Sequence, residues 1–277
     1  MKKIAVLGPK GTYSDIAALK YIKLNKDCEY EIEYYKSIIN AIKQIDDNTI
    51  SVVPFENSLD GFVTESLDQI IFNHLTIRYQ LKLSIDFAFV GNSKNIEDID
   101  TVYVQFKAYG QCLDFITANK FKCIKTESNI ESLNLALKGA KNVGAIIPMH
   151  ALNKDDFECV LTHVQDKKNN ETRFFVVDNN KKKNEITNDF EASISFTSIK
   201  DRPGILYTIL KEFYDKHINL KSILSRPDRS MMGKYNFYIE VSSKYEDKDK
   251  FLELIKSLKD TDDFKVKVLG IYNIIGE

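Results

Sequence analysis

Short apolar runs alternate with segments whose apolar residues recur at helical spacing over residues 3–165. Ile4 to Leu7 reads as a strand, and Ser14 to Leu24 as a helix with Ile16, Ala17 and Leu19 on one side. Tyr30 to Tyr34 is a second strand. Ser37 to Ile45 is a second helix, with Ile38, Ile42 and Ile45 on one face. Ile50 to Val53 is a third strand, which Pro54 is expected to end by fixing φ and removing a donor. This β-α-β-α-β order predicts a mostly parallel sheet with helices on both sides.

The pattern then changes. Leu75 to Val90 is one long strand-like stretch, alternating at Leu81, Leu83, Ile85, Phe87 and Phe89, able to leave one α/β lobe and enter another. A second set follows: strand Thr101 to Val104, helix Gly110 to Ala118, strand Lys122 to Lys125, helix Ile130 to Lys138 and strand Gly144 to Ile147. Thr172 to Val177 is a strand that could return to the first lobe. The expected division is a first lobe of about 1–76 with 166–178 and a second of about 77–165. Two crossings between lobes leave a cleft, a common place for a ligand. Residues 179–190 are polar and read as a linker. Residues 191–277 repeat a different order. Strands Ala192 to Thr197, Ile218 to Ser225, Lys234 to Val241 and Phe264 to Gly270 surround helices Gly204 to Lys216 and Lys248 to Lys259. That is the ferredoxin-like βαββαβ arrangement, and it is long enough to fold alone.

Composition narrows the function. In 277 residues, 39 basic and 40 acidic side chains give a net charge of −1, which supplies no field for nucleic acid or an anionic membrane. The run Lys181 to Lys183 is short and sits in the polar linker. Cys28, Cys112, Cys123 and Cys159 form no CxxC pair and no metal-ligand spacing with His74, His150, His163 or His217. Free thiols in a reducing compartment and no structural metal are expected. The apolar run after Met1 is too short for a signal peptide, and no window reaches membrane-span length. A soluble, cytoplasmic protein is expected.

Three segments carry possible chemistry. In 52–68, VVPFENSLDGFVTESLD, Glu56, Asn57 and Ser58 follow a strand end, where α/β sheets bind ligands. The alternative is a capped helix start. GPKGTYS at 8–14 is a glycine turn between strand and helix that matches neither the dinucleotide fingerprint nor the P-loop. It suits a carboxylate ligand, or simply a capping box from Thr12 to Asp15. NNETRFF at 169–175 sets Thr172 and Arg173 on opposite faces of a strand, with Phe174 sharing the side of Thr172. Arg173 could grip a carboxylate or pair with a structural acid.

Together with TES at 126–128, these segments resemble prephenate dehydratase in the family's order, and the C-terminal part resembles its ACT regulatory domain. The resemblance implies loss of CO2 and of the ring hydroxyl from prephenate to give phenylpyruvate, with no cofactor. It implies a two-lobed catalytic domain of the periplasmic-binding-protein type. Thr172 matches the catalytic threonine, Asn57 and Gln111 the site amides, and Glu127 an acid on the second lobe. Thr12, Ser14, Glu56, Ser58, Gln105, Arg173 and Phe174 would line the cleft or brace it. L-Phenylalanine would bind as effector near Gly204, Ile205, Leu206 and Tyr207 and near Ser225, Arg226 and Pro227, between partner subunits of a dimer or tetramer. Two departures stand out. Val104-Gln105-Phe106 replaces the family's Ser-His-Pro, and Leu224 replaces the glutamate of Glu-Ser-Arg-Pro. Arogenate dehydration, a non-aromatising decarboxylase and a non-catalytic sensor are the competing readings.

Overall fold

The structure, a computed structural model, describes residues 1–26, 28–181, 184–199, 202–228 and 235–273. Lys182 and Lys183 of the basic run, and Lys234 at the start of a predicted strand, lie outside the described residues.

The first sheet is built from β1 (Lys2–Leu7), β2 (Tyr30–Tyr35), β3 (Thr49–Asn57), β5 (Thr76–Ser84) and β11 (Glu171–Asp178), in the order β2-β1-β3-β11-β5. The short β4 (Gly61–Phe62) folds back on β3. β1 pairs in parallel with β2 and β3, while β11 runs antiparallel between β3 and β5. Helices α1 (Tyr13–Leu24), α2 (Ile38–Ile42) and α3 (Thr64–Phe72) cover it. The α1 face buries Ile4, Val6, Ala17, Val52, Phe174 and Val176 together.

β3 does not end at Pro54. It runs on to Asn57, and its pairing with β11 shifts between Arg173↔Glu56 and Phe174↔Pro54. Phe55 is therefore an extra residue in a β-bulge, and a bulge is where a sheet tolerates proline. β1 is paired only as far as Val6↔Val52, so at Pro54 its missing N–H breaks no bond to β1. The bulge reverses the alternation of β3. Val53, Phe55 and Glu56 all turn to the face of Arg173 and Phe175, and Asn57 turns to the face of Thr172.

The predicted long strand is two strands. It breaks at Ile85–Asp86 into β5 and β6 (Phe87–Gly91), so β5 stays in the first sheet and the crossing falls later than the expected boundary at 77. The second sheet contains β7 (Thr101–Gln105), β8 (Lys122–Thr126), β9 (Val143–Pro148) and β10 (Cys159–Thr162), ordered β10-β6-β9-β7-β8. Its helices are α4 (Phe106–Gln111), α5 (Leu113–Ala118) and α6 (Asn129–Leu137). The single helix expected over 110–118 is thus two short ones meeting at Cys112.

The third sheet has the order β13-β14-β12-β15, from β12 (Phe190–Ser198), β13 (Leu220–Pro227), β14 (Tyr235–Ser243) and β15 (Phe264–Asn273). With α7 (Ile205–Asp215) and α8 (Lys248–Lys259) it is a ferredoxin-like βαββαβ unit. One face of this sheet packs on its own helices through Phe190, Phe196, Ile209, Phe213 and Phe251. The other face packs on the first lobe. Tyr238, Leu269 and Tyr272 share a core there with Phe55, Leu67, Ile77 and Phe175. Among the described residues no helix is long and apolar enough to cross a membrane.

Candidate active site

The crossings between lobes bring three side-chain amides and one hydroxyl into a single network. Asn57, 7% exposed at the end of β3, donates from Nδ2 to Asn170 Oδ1 at 2.7 Å and to Thr172 Oγ1 at 2.9 Å. A longer contact of 3.2 Å goes to the Glu171 carbonyl. Asn57 Oδ1 accepts from the N–H groups of Leu59 and Asp60, both at 3.0 Å, which fixes which end of the amide faces Thr172. Asn170, 2% exposed in the returning crossover, donates to Gln111 Oε1 at 2.9 Å. Asn170 therefore ties the first lobe to the second.

This network has a polarity. Asn57 supplies an N–H to Thr172 Oγ1, so the threonine hydrogen remains available to a ligand. Asn170 occupies the carbonyl end of Gln111, so the NH2 end is left to donate. The Thr172 hydroxyl and the Gln111 amide thus each leave a donor for a departing or negatively charged oxygen. Asn170 is not among the site residues that the sequence singles out. Its position two residues before Thr172 in an extended segment, which puts both on one side, was the available clue.

The other predicted residues fall in different places. Ser58 holds the crossover, donating to the Asn169 carbonyl at 3.2 Å and accepting from Glu171 N at 3.0 Å. Thr12 is the N-terminal flank of α1 and donates to the Leu7 carbonyl at 3.3 Å without capping the helix. Asp15 instead reaches back to Gly11 N at 2.8 Å, one residue further out than in a capping box. Ser14 is buried. Gln105 caps α4, its Oε1 accepting from Lys107 N at 2.7 Å, so its carbonyl end is spent on backbone rather than on a ligand. Glu127 is exposed past the end of β8. Among the described residues no hydrogen bond joins its carboxylate to the Asn57–Asn170–Gln111 network.

Arg173, Glu56 and Phe174 do not line the cleft. Phe174 is 1% exposed among the side chains of the α1 face. Arg173 points to the opposite face from Thr172 and binds Glu240 of β14 bidentately at 3.0 and 2.7 Å, Glu56 at 2.7 Å and Gln80 at 2.8 Å. Burial opposes the charges of this pair. The Glu240 and Glu56 carboxylates still raise Arg173, and burial of Glu240 is more than offset by Arg173 and Ser222, which hold it below the usual carboxylate range. Here the structural-acid alternative for Arg173 holds. Arg226 likewise turns from the effector segment to α3, pairing with buried Asp68 at 3.0 and 2.8 Å. Leu224 packs against the seam core beside it.

A cavity of about 670 Å³ opens onto the amide network. Gln111 and Asn170 line it with Leu59, Phe106, Tyr109 and Lys125. Cys112 lies beside it but is no nucleophile, because burial pushes its thiol up to about 12. His150, outside the network, is also pertinent to the lobes. Its Nε2 lies 2.9 Å from the Gly11 carbonyl, and burial lowers its pKa, so a neutral ring donates across from one lobe to the other. A second cavity of about 490 Å³ lies where β5 meets β15, bordered by His74, Ile77, Lys267 and Gly270, and includes none of the network.

Comparison with known proteins agrees with this arrangement. The chain is 33% identical over 268 residues to the prephenate dehydratase of Methanocaldococcus jannaschii, covering 96% of each. Its fold matches the crystal structure of the prephenate dehydratase from Staphylococcus aureus with a TM-score of 0.82 at 30% identity, over 99% of this chain and 100% of that one. The prephenate dehydratase of Arthrobacter aurescens in complex with L-Phe shares the fold, with a TM-score of 0.79 at 21% identity over 98% of this chain and 90% of that one. The sequence model for prephenate dehydratase spans residues 4–182, both lobes and both crossings, and on that span and the 33% identity to the Methanocaldococcus jannaschii enzyme the chain belongs to the prephenate dehydratase family.

Proposed function

We propose that the chain is a carbon–oxygen lyase that converts prephenate to phenylpyruvate, CO2 and water in the cleft beside Thr172. The ring carboxylate leaves as CO2, and the electrons of its C–C bond move through the ring diene. The C–O bond to the ring hydroxyl breaks, and hydroxide takes up a proton to become water. Aromatisation drives the step. The protein has to hold the dianion and stabilise the departing oxygen.

One observation carries this reading: Thr172 Oγ1 accepts from Asn57, leaving its own O–H to donate. A threonine hydroxyl is a weak acid, so its role is a placed hydrogen bond to the leaving oxygen. Gln111 offers a second donor from the other lobe. Glu127 would join on closure of the lobes about the crossings at 85–86 and 163–170, the movement that would bring its carboxylate inward.

L-Phenylalanine is proposed as the effector of the ACT domain. Gly204, in the left-handed region at φ 85°, starts α7, where Tyr207 is 67% exposed and Ile205 is buried. Ser225 to Pro227 end β13 at the same end of the sheet as the end of β12, since Thr197 and Arg226 both pair with Asn236. Completion of an effector site by a second copy of the chain, as a homodimer or tetramer, is part of this proposal.

The test is incubation of purified protein with prephenate and, separately, with arogenate, with and without phenylalanine. Phenylpyruvate formation from prephenate, lowered by phenylalanine, is expected. Phenylalanine formed only from arogenate would reassign the substrate, and no product from either would remove the enzyme reading.

A further inference from the structure

We propose that Lys125 is the cationic anchor for the carboxylate that substrate and product share, an inference that rests on the dehydratase reading above. The family's Ser-His-Pro is absent here. Phe106, at the place of the proline, puts an aromatic ring that is 65% exposed into the cavity wall. Lys125 reaches from β8 over it. The ammonium lies 5.2 Å from the centroid of Phe106 and 4.8 Å from that of Tyr109. Ring faces attract a cation and confine a flexible four-carbon chain, which lowers the ordering cost of using it on a ligand.

Of the other charges lining the cavity, Asp60, Lys107 and Asp166 are engaged, and exposed Lys167 is a second cation. Lys107 pairs with Asp60 at 3.4 Å. Both oxygens of Asp166 accept from backbone, at 3.0 Å from Leu113 N and 3.2 Å from Asp114 N. Among the described residues no carboxylate lies within ion-pair distance of Lys125. Its ammonium therefore lines, without an acidic partner, the same cavity as Gln111 and Asn170.

Chemistry selects which carboxylate it holds. The ring carboxylate loses its charge as CO2 departs. An ammonium there would stabilise the ground state more than the transition state and slow the reaction. The 2-oxo-acid carboxylate of the side chain keeps its charge throughout and passes unchanged into phenylpyruvate. A cation on that group binds substrate, transition state and product alike, so it lowers KM and leaves kcat alone.

Lys125→Gln is the test, with Lys125→Arg beside it. Since Lys125 is exposed, both variants should fold. Loss of one charge-assisted hydrogen bond is expected to raise KM for prephenate roughly 10- to 100-fold with kcat nearly unchanged. Phenylpyruvate, measured by titration calorimetry on each full-length protein, should weaken by a similar factor. Lys125→Arg should restore most of both losses. A KM within about twofold of wild type, a fall in kcat at constant KM, or unweakened phenylpyruvate binding would each overturn the proposal. Failure of the wild type to turn over prephenate would instead strike the dehydratase reading, a separate outcome.

Discussion

At Thr172 a single hydrogen bond decides what the hydroxyl can offer. Because Asn57 donates to one lone pair, the threonine proton is left free to donate. Thr172→Ala is expected to lower kcat by roughly 10²–10³, the scale for one transition-state donor, with little change in melting temperature. Steady-state kinetics check this, and near-normal turnover would remove the residue from the mechanism. Asn170 acts one step back as a positioning residue. Asn170→Asp keeps an acceptor for Asn57 but loses the donor to Gln111. Gln111 would then turn its NH2 to the new carboxylate and its carbonyl to the cleft. A fall in kcat on the order of 10- to 100-fold is expected, exceeding any change in KM. Combining it with Gln111→Ala should add little, because both changes remove the same donor.

The strands transmit these placements. The bulge at Phe55 is what puts Asn57 beside Thr172 while Glu56 meets Arg173, so one extra residue separates the reacting face from the bracing face. Arg173 in turn ties β11 to β14. Glu240 is fully buried, and its removal leaves Arg173 inside with a reduced counter-charge. Glu240→Ala is expected to cost about 3–5 kcal/mol, read as a shift in the denaturant midpoint. Its folded-state pKa is depressed, so its stabilisation is present above the ordinary carboxylate range and is lost as pH falls through the folded value. A wild-type loss of stability in acid that Glu240→Gln flattens would confirm the sign. β15 approaches β5 so closely at Gly270 that a Cβ would lie 2.3 Å from the Ile77 carbonyl oxygen. Gly270→Ala should therefore push the strands apart and lower the melting temperature. A melting temperature equal to wild type would show that the seam is looser than described.

Across the entire chain the seam makes the catalytic and ferredoxin-like parts one packed body. Phe55, Phe175, Tyr238 and Tyr272 share its core, and the ion pairs Arg173–Glu240 and Arg226–Asp68 cross it. Lys267 sits at its margin, donating to the Ile71 carbonyl at 3.2 Å near the end of α3. Burial first, and nearby Lys181 second, lower its pKa to about 8. The unfolded chain binds this proton more tightly, so the cost of charging Lys267 is full below about 8 and is relieved as pH rises toward the unfolded value. Lys267→Met should thus gain stability over wild type near neutral pH, with the difference shrinking in alkali. Chemical denaturation at several pH values tests it, and a constant difference would contradict the linkage.

Local periodicity was enough to place most strands and helices, because apolar spacing at 2 or 3.6 residues reports which face is buried whatever lies opposite. The order of elements then gave two α/β lobes and a βαββαβ unit, and the run around Thr172 exposed its alternation directly. Other features depended on residues far apart in the chain. The bulge at Phe55 cannot be read from period-2 alternation, because it violates that period and is defined only by the partner strand. Arg173 and Arg226 gave no hint in the sequence of which acid each would meet, since Glu240 and Asp68 reach them only when the domains dock. Asn170 joined Asn57 to Gln111 across more than a hundred residues on one side and across the lobes on the other. Residue type and spacing are local quantities, whereas a hydrogen-bond partner is fixed by three-dimensional closure.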